Sequence, residues 1–481
     1  MKLSKKIFFS ISATSVTVFS GFIRNKIFAV YLSISLFGIL SLGQQLLSLI
    51  FTIFAFGLPL GISSFGAKIS TYSLEEKKKA ISKIVFFVIE LATVLILVLF
   101  TAVSRFPDLT GKITAASGEY SFALSILLFA APFMVIHNCL LSLMEGMGLV
   151  QEIVTFKIIP AFINLPLIFV LVHFRQFEGA AAAIVVSEFV TTGIALFLLR
   201  KYIVFSTKGI FIGRLFTEIG KIALLSVLVG AGSMLIDFLV KRYLLGEFGE
   251  TNNGIVQSVA KVVDLYPTVV LSWLTMHLFP LMSASINDKK LIVAHLERTV
   301  NIAVALIVPI IVFIFILRIP ILQILYKHDF VVAEHYFAAM LLLGIPKVLT
   351  WVIGVPLLPL GMKKIWFWTS LLFSAVYGMI VFIFDPFGVG IFIIPIASFT
   401  AFLIQYAALL LMYRSNGYRF TREFGIQNIL YGLMILSFLL AVVEWEWSIA
   451  AVCLIYGYTL VKYNLWNDIK QRILQYAKKE S

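Results

Sequence analysis

The sequence predicts an all-α polytopic membrane protein with about 14 transmembrane helices. Three observations carry that prediction. Of the 481 residues 61% are apolar and 13% charged, with a mean hydropathy of +1.03, a balance outside that of soluble domains of this size. The apolar residues come in continuous runs of about 20, the length a helix needs to cross the hydrocarbon core, not in the ten-residue alternations of a β-barrel. The charge, formally +14, gathers in the breaks between runs.

Taken in order, the runs predict helices over 7–32, 36–66, 84–104, 120–143, 153–173, 178–200, 216–240, 254–284, 299–317, 334–360, 365–384, 388–413, 427–443 and 447–465. The first begins behind Lys2, Lys5 and Lys6, as a signal peptide would. Its apolar run is too long for one, contains Arg24 and lacks a small-residue cleavage site, so it is expected to stay as a helix. With the N-terminus inside, Lys and Arg fall on the inner side over the outer in a ratio of roughly four to one. Both termini are therefore expected in the cytoplasm. The basic balance expresses topology and gives no reason to expect nucleic acid. Cys139 and Cys453 fall in or beside apolar runs and suggest neither a disulfide nor a metal framework.

An internal repeat is visible. The second helix ends FGLPLGISSFGAKIS and the eighth HLFPLMSASINDKK, each before a Lys-rich loop, with Pro59 and Pro280 in correspondence. The fourth ends LLSLMEGMGLVQ and the tenth PLLPLGMKK, each on a Gly-Met turn. Helices 1–6 thus map onto helices 7–12, and an even number relates the halves by an axis along the membrane normal. The expected division is an N-lobe over 1–210, a C-lobe over 211–415, two added helices over 416–466 and a basic tail over 467–481. That tail, an amphipathic segment, is expected to lie on the anionic inner leaflet.

Charged residues inside apolar runs are expensive unless they face water, a partner or a ligand. Arg24 and Lys26 both lie within the first helix, and two positions on a helix separate them by about 200°. Arg24, the deeper, is assigned to the interior, while Lys26 snorkels to the interface. Two readings stand: the cations mark a ragged helix end, or Arg24 lines an aqueous cavity for an anion. Lys347, beside Pro346, is a possible further anion contact, because the proline can open a water pocket in the helix. Glu90, Glu188 and Asp237 are acids within apolar runs. Glu188, near mid-membrane, is the better candidate for proton coupling, with Asp237, Asp264 and Glu90 as further candidates for ion or proton coupling. Asp237 either serves an ion or pairs with Lys241 at i+4. His328, Asp329, Glu334 and His335 cluster as a solvated outer loop, and no metal site is expected there. P-loop, zinc and nucleophile-elbow signatures do not occur, so no catalysis and no cofactor is implied.

The stretches FSGFIRNKIFAVYLSISLFGILSL and IFAFGLPLGISSFGAK resemble the opening of the multidrug/oligosaccharidyl-lipid/polysaccharide (MOP) exporter superfamily. The basic residue of helix 1, Gly38 in the next turn and the Gly-Leu-Pro end of helix 2 resemble its polysaccharide, Wzx-type branch, as does ILQILYKHDFVVAEHYFAAMLLLGIP. FIRNKIFA is also similar to helix 1 of the lipid II flippases, with Asn25 where those often carry an acid. The resemblance spans roughly residues 5–415 and implies two six-helix lobes around a central cavity.

Within that fold Arg24 and Lys261, one in each lobe, would form a cationic clamp suited to a diphosphate, with Lys347 and Lys26 as further candidate contacts. The alternative is that Lys261 pairs with Asp264 at i+3. Asp237 matches the helix-7 acid of a sodium site in the lipid II group, yet helix 11 supplies only Asp385 at its outer end, which leaves H+ or Na+ open as coupling ion. Pro59, Pro280 and Pro346 are the expected hinges. The implied function is flipping a polyprenyl-diphosphate-linked oligosaccharide, of the O-antigen, capsule or exopolysaccharide kind, across the bacterial inner membrane by alternating access. Polymerase or assembly proteins are conceivable partners beside the glycolipid and membrane lipids. The alternatives are lipid II transport, a cation-coupled multidrug antiporter with an acidic cavity, and a non-transporting scaffold.

Overall fold

The computed structural model describes residues 3–69, 72–116, 118–204, 212–285, 288–384, 388–442 and 448–462. The described residues are helical and contain no strand. Eight helices among them are long and apolar enough to cross a membrane, with a ninth if one bent pair counts as a single span. The chain is a multi-pass α-helical membrane protein.

The order begins α1 (Leu3–Tyr31), α2 (Ile34–Ala55), α3 (Leu58–Ile69), α4 (Leu74–Arg105), α5 (Leu109–Thr114), α6 (Ser121–Leu128), α7 (Ala130–Gly146), α8 (Val150–Leu199) and α9 (Ile212–Val263). It continues with α10 (Leu265–Ala284), α11 (Lys289–Ile316), α12 (Arg318–Leu325), α13 (Glu334–Leu341), α14 (Gly344–Gly354), α15 (Lys363–Phe384), α16 (Ile393–Ser415), α17 (Arg422–Val442) and α18 (Ser448–Lys462).

Helix boundaries follow local chemistry. Ser73 and Glu76 form a capping box that starts α4. Asp288 caps α11 by accepting from the Lys290 and Leu291 amides at 2.9 and 3.1 Å. The long α8 reverses at Gln176, which sits at φ 43° and ψ −112°, and α9 is interrupted at Gly249, φ 80°. Those interruptions fall between the helices predicted over 153–173 and 178–200, and over 216–240 and 254–284.

Several predicted helices are in fact broken. The run 36–66 divides into α2 and α3 at Phe56 and Gly57, both with positive φ. Pro59, second residue of α3, sits where a missing N–H leaves no hydrogen bond unmade. The run 334–360 bends by 42° between the segments that end at Leu341 and begin at Gly344, and Pro346 is the third residue after that bend. In the run 254–284 the break falls at Asp264, between α9 and α10 and ahead of Pro267. Pro280 lies within α10, and its side chain is outside the described residues.

The chain divides into two compact units: Met1–Gly254 with Leu325–Lys327, and Ile255–Ile324 with His328–Ser481. The expected lobe limit at 210 and the tail over 467–481 lie outside the described residues. In unit 1, α8 packs on α1, α6 and α7, while α7 also packs on α2, α3 and α4. Close approach requires glycine at two crossings: a Cβ on Gly146 would overlap the Ser63 carbonyl, and one on Gly254 would overlap the Ile34 carbonyl. In unit 2, α11 packs on α10 and α14, α14 on α16, α15 on α16, and α17 on α18. Buried polar bonds add to this packing: Tyr413 Oη on α16 donates to the Ile353 carbonyl on α14 at 3.0 Å, and Tyr431 Oη on α17 to Asn301 Oδ1 on α11 at 2.6 Å.

Candidate functional site

Intramembrane polar groups converge inside unit 1, where α1, α7 and both halves of α8 meet. The turn at Gln176 folds the second half of α8 back along the first. Asn164 on the first half then donates to Thr191 Oγ1 (3.3 Å) and to the Ser187 carbonyl (3.5 Å) on the second. Glu188 follows Ser187, and its Oε2 lies 3.3 Å from His137 Nδ1 on α7. Thr192, one turn further, donates to the Phe133 carbonyl at 3.0 Å and sets the register of α7 against α8.

Arg24 enters this cluster from α1, the helix that lies along α8. Its guanidinium interacts electrostatically with Glu188. The Nε atom of Arg24 is shielded from solvent and has no hydrogen-bond partner among the described residues, as is true of Asn25 Oδ1, Asn164 Oδ1 and Ser187 Oγ. The result is a polar interior with donors and acceptors unmade around one guanidinium and one carboxylate. Unmade buried hydrogen bonds of this kind are rare in finished cores, and intramembrane charges ordinarily mark a ligand or ion pathway. Among the described residues no group of three or more His, Cys, Asp and Glu is arranged to hold a metal ion.

The other predicted residues sit elsewhere. Lys26 points away from Arg24, as their spacing requires, and donates to the Tyr326 carbonyl. Tyr326 in turn packs edge-on against Phe37, ring centroids 5.6 Å apart. Asp237 pairs with Lys241 at 2.8 Å and accepts from Gln45 Nε2, the i+4 arrangement that was one of its two readings. Glu90 is exposed on α4. Lys261 is half-buried on α9 and belongs to unit 2. Asp264 is bound by Lys347, Nζ to Oδ1 2.7 Å, so Lys347 has a carboxylate partner and is no vacant anion contact. Of the predicted residues, then, Lys347 and Asp264 form an ion pair, while Arg24 and Glu188 influence each other electrostatically. His137, Asn164 and Ser187 were missed; the signal available was a polar residue in the middle of a predicted span.

No family model matches the sequence, and no curated protein matches it by sequence. Solved structures do match the fold. An inward-facing multidrug resistance MATE family transporter of the MOP superfamily superposes with a TM-score of 0.69 at 14% identity, over 83% of this chain and 94% of that one. The lipid II flippase MurJ in an inward closed conformation superposes with a TM-score of 0.67 at 15% identity, over 95% of this chain and 99% of that one. This chain has the fold of MOP superfamily transporters. A third match, at a TM-score of 0.52 and 16% identity over 82% of this chain and 98% of that one, is a MOP superfamily transporter from Pyrococcus furiosus described by the reverse polarity of its binding pocket.

Proposed function

We propose that this protein is a secondary transporter that flips a polyprenyl-diphosphate-linked oligosaccharide from the inner to the outer leaflet. The observation that carries the reading is Arg24: a guanidinium held inside the polar interior of unit 1, with its Nε unbonded. A cation at this depth suits an anionic head group, because a guanidinium offers phosphate oxygens parallel hydrogen bonds. It does not suit a cationic drug, which calls for an acidic pocket. Two neighbours of the same fold lend support, one named a lipid II flippase and one described by the reversed polarity of its pocket. The match to the lipid II flippase also takes in more of the chain than the match to the MATE transporter. Lipid II is accordingly the second reading of the substrate.

A phosphate bound on Arg24 would neutralise the positive charge that now acts on Glu188. Loss of a neighbouring positive charge favours the protonated form of a carboxylate, which would link head-group binding to proton uptake. The experiment is transbilayer movement of a fluorescent polyprenyl-diphosphate oligosaccharide in liposomes, wild type beside Arg24→Ala. Movement in wild type that is lost in the variant supports substrate class and contact together. Movement unchanged in Arg24→Ala removes Arg24 from the site. No glycolipid movement, with export of an organic cation, makes the protein a drug antiporter.

A further inference from the structure

The two ends of α8 form a second polar site, remote in sequence from Arg24. Because the helix reverses at Gln176, its first turn and its last come side by side. They border an open, shallow cavity of about 340 Å³ lined by Gln151, Glu152 and Thr155 from the first half and by Phe197, Arg200 and Lys201 from the second half and the turn beyond it. Lys201 binds Glu152 at 2.7 Å and neutralises it. Arg200 remains: it is exposed, and it has no carboxylate partner among the described residues. Its Cζ lies 3.8 Å from the centroid of the Phe197 ring. A guanidinium held over an aromatic face by cation–π attraction keeps its N–H donors available to phosphate oxygens.

What borders the cavity limits the ligand. Thr155, Ile159 and Phe162 follow one another at helical spacing on one face of the first half, and both apolar residues are exposed. On the second half Phe189 and Phe197, likewise exposed, flank Gly193, where a Cβ would meet nothing within 4 Å. Both halves thus expose apolar side chains beyond the cationic cavity, with an open notch at Gly193. Beyond the cavity, the Val204 amide donates to Ser82 Oγ at 2.7 Å. This ties the Arg200 turn to the start of α4, which carries Lys77, Lys78, Lys79 and Lys83. The Lys and Arg distribution assigns this end of the helices to the cytoplasm, where the leaflet is anionic.

We propose that the α8 ends bind an anionic glycerophospholipid of the inner leaflet, its phosphodiester on Arg200 with Gln151 and Thr155, and one acyl chain in the Gly193 notch. The site is distinct from the transport pocket and stands whichever substrate that pocket takes. The test is native mass spectrometry of the full chain in micelles, titrated with phosphatidylglycerol, phosphatidylcholine or polyprenyl diphosphate. Wild type is expected to retain phosphatidylglycerol over phosphatidylcholine. Arg200→Gln, at an exposed position, should weaken that retention by about tenfold, the scale of one charge-assisted hydrogen-bonded contact. Gly193→Leu, which fills the notch and leaves the charge alone, should weaken it too. Equal retention of phosphatidylglycerol by wild type and Arg200→Gln would overturn the site. An Arg200-dependent preference for polyprenyl diphosphate over phosphatidylglycerol would overturn the bilayer lipid as its occupant.

Discussion

Lys347 Nζ lies 2.7 Å from Asp264 Oδ1, and the pair joins two helix breaks of unit 2. Asp264 is the residue between α9 and α10, and Lys347 follows Pro346 in the first turn of α14. Beside them Tyr266 Oη donates to the Leu341 carbonyl at 3.4 Å, at the bend between α13 and α14. Two interrupted helices therefore meet at their interruptions, where backbone groups freed from helical bonding need partners. The Asp264 side chain is 67% exposed, which limits what the ion pair contributes. A double-mutant cycle of Asp264→Asn and Lys347→Gln, followed by unfolding in micelles, should give a coupling energy below about 1 kcal/mol. A coupling of several times that value would show that the pair is dehydrated in the membrane and holds the breaks together.

Glu188→Gln keeps the shape of the Arg24 cluster and removes the carboxylate that competes for the guanidinium. Head-group binding should tighten by roughly tenfold, about 1.4 kcal/mol, in direct titration with a polyprenyl-diphosphate oligosaccharide. Proton uptake on binding, followed with a pH dye in weakly buffered solution, should disappear. Unchanged affinity together with unchanged proton uptake would remove Glu188 from the transport cycle.

Lys26 offers the complementary case. Its ammonium is bound to the Tyr326 carbonyl in unit 1, on the far side of α1 from Arg24. Lys26→Met leaves that carbonyl short of a charge-assisted bond, so the melting temperature should fall by an amount that corresponds to about 1.5–3 kcal/mol. Head-group affinity should stay at the wild-type level. A selective loss of affinity with normal stability would restore Lys26 as a substrate contact.

How legible this was in the sequence depended on the kind of signal. Continuous apolar runs set the all-helical class and the order of segments well, and even the reversal inside α8 was marked by the polar stretch RQFEG around Gln176. Gly-Leu-Pro at 57–59 coincides with a true break because Pro59 needs a helix start. Pro280 drew the hinge expectation away from Asp264, where the break occurs ahead of Pro267; proline inside an apolar span does not by itself locate a break, since neighbouring helices can satisfy the freed carbonyl. Arg24 and Glu188 each stood out as charges in apolar runs. Their meeting did not, because it depends on how α1 packs on α8, and periodicity within one helix cannot specify that. His137, Asn164 and Ser187 escaped notice because neutral polar residues barely disturb an apolar run.

Helix crossings that rely on absent side chains are the most local test of the packing. Gly254 lies in α9, and a Cβ there would overlap the Ile34 carbonyl at the start of α2, while a Cβ on Gly38 would meet the Gly254 amide at 2.6 Å. Backbone lies on both sides of the contact, so relief by a side-chain rotation is not possible and the helices must separate. Gly254→Ala should cost about 1–3 kcal/mol, the range for overpacking a close contact. Gly432, in α17, has nothing within 4 Å of the same added atom. Gly432→Ala should therefore gain about 0.5–1 kcal/mol from the restricted unfolded backbone and the better helix former. Thermal unfolding of the two variants in the same micelle compares them directly. Opposite signs are expected, and a Gly254→Ala protein as stable as wild type would mean that α2 and the second half of α9 do not touch backbone to backbone.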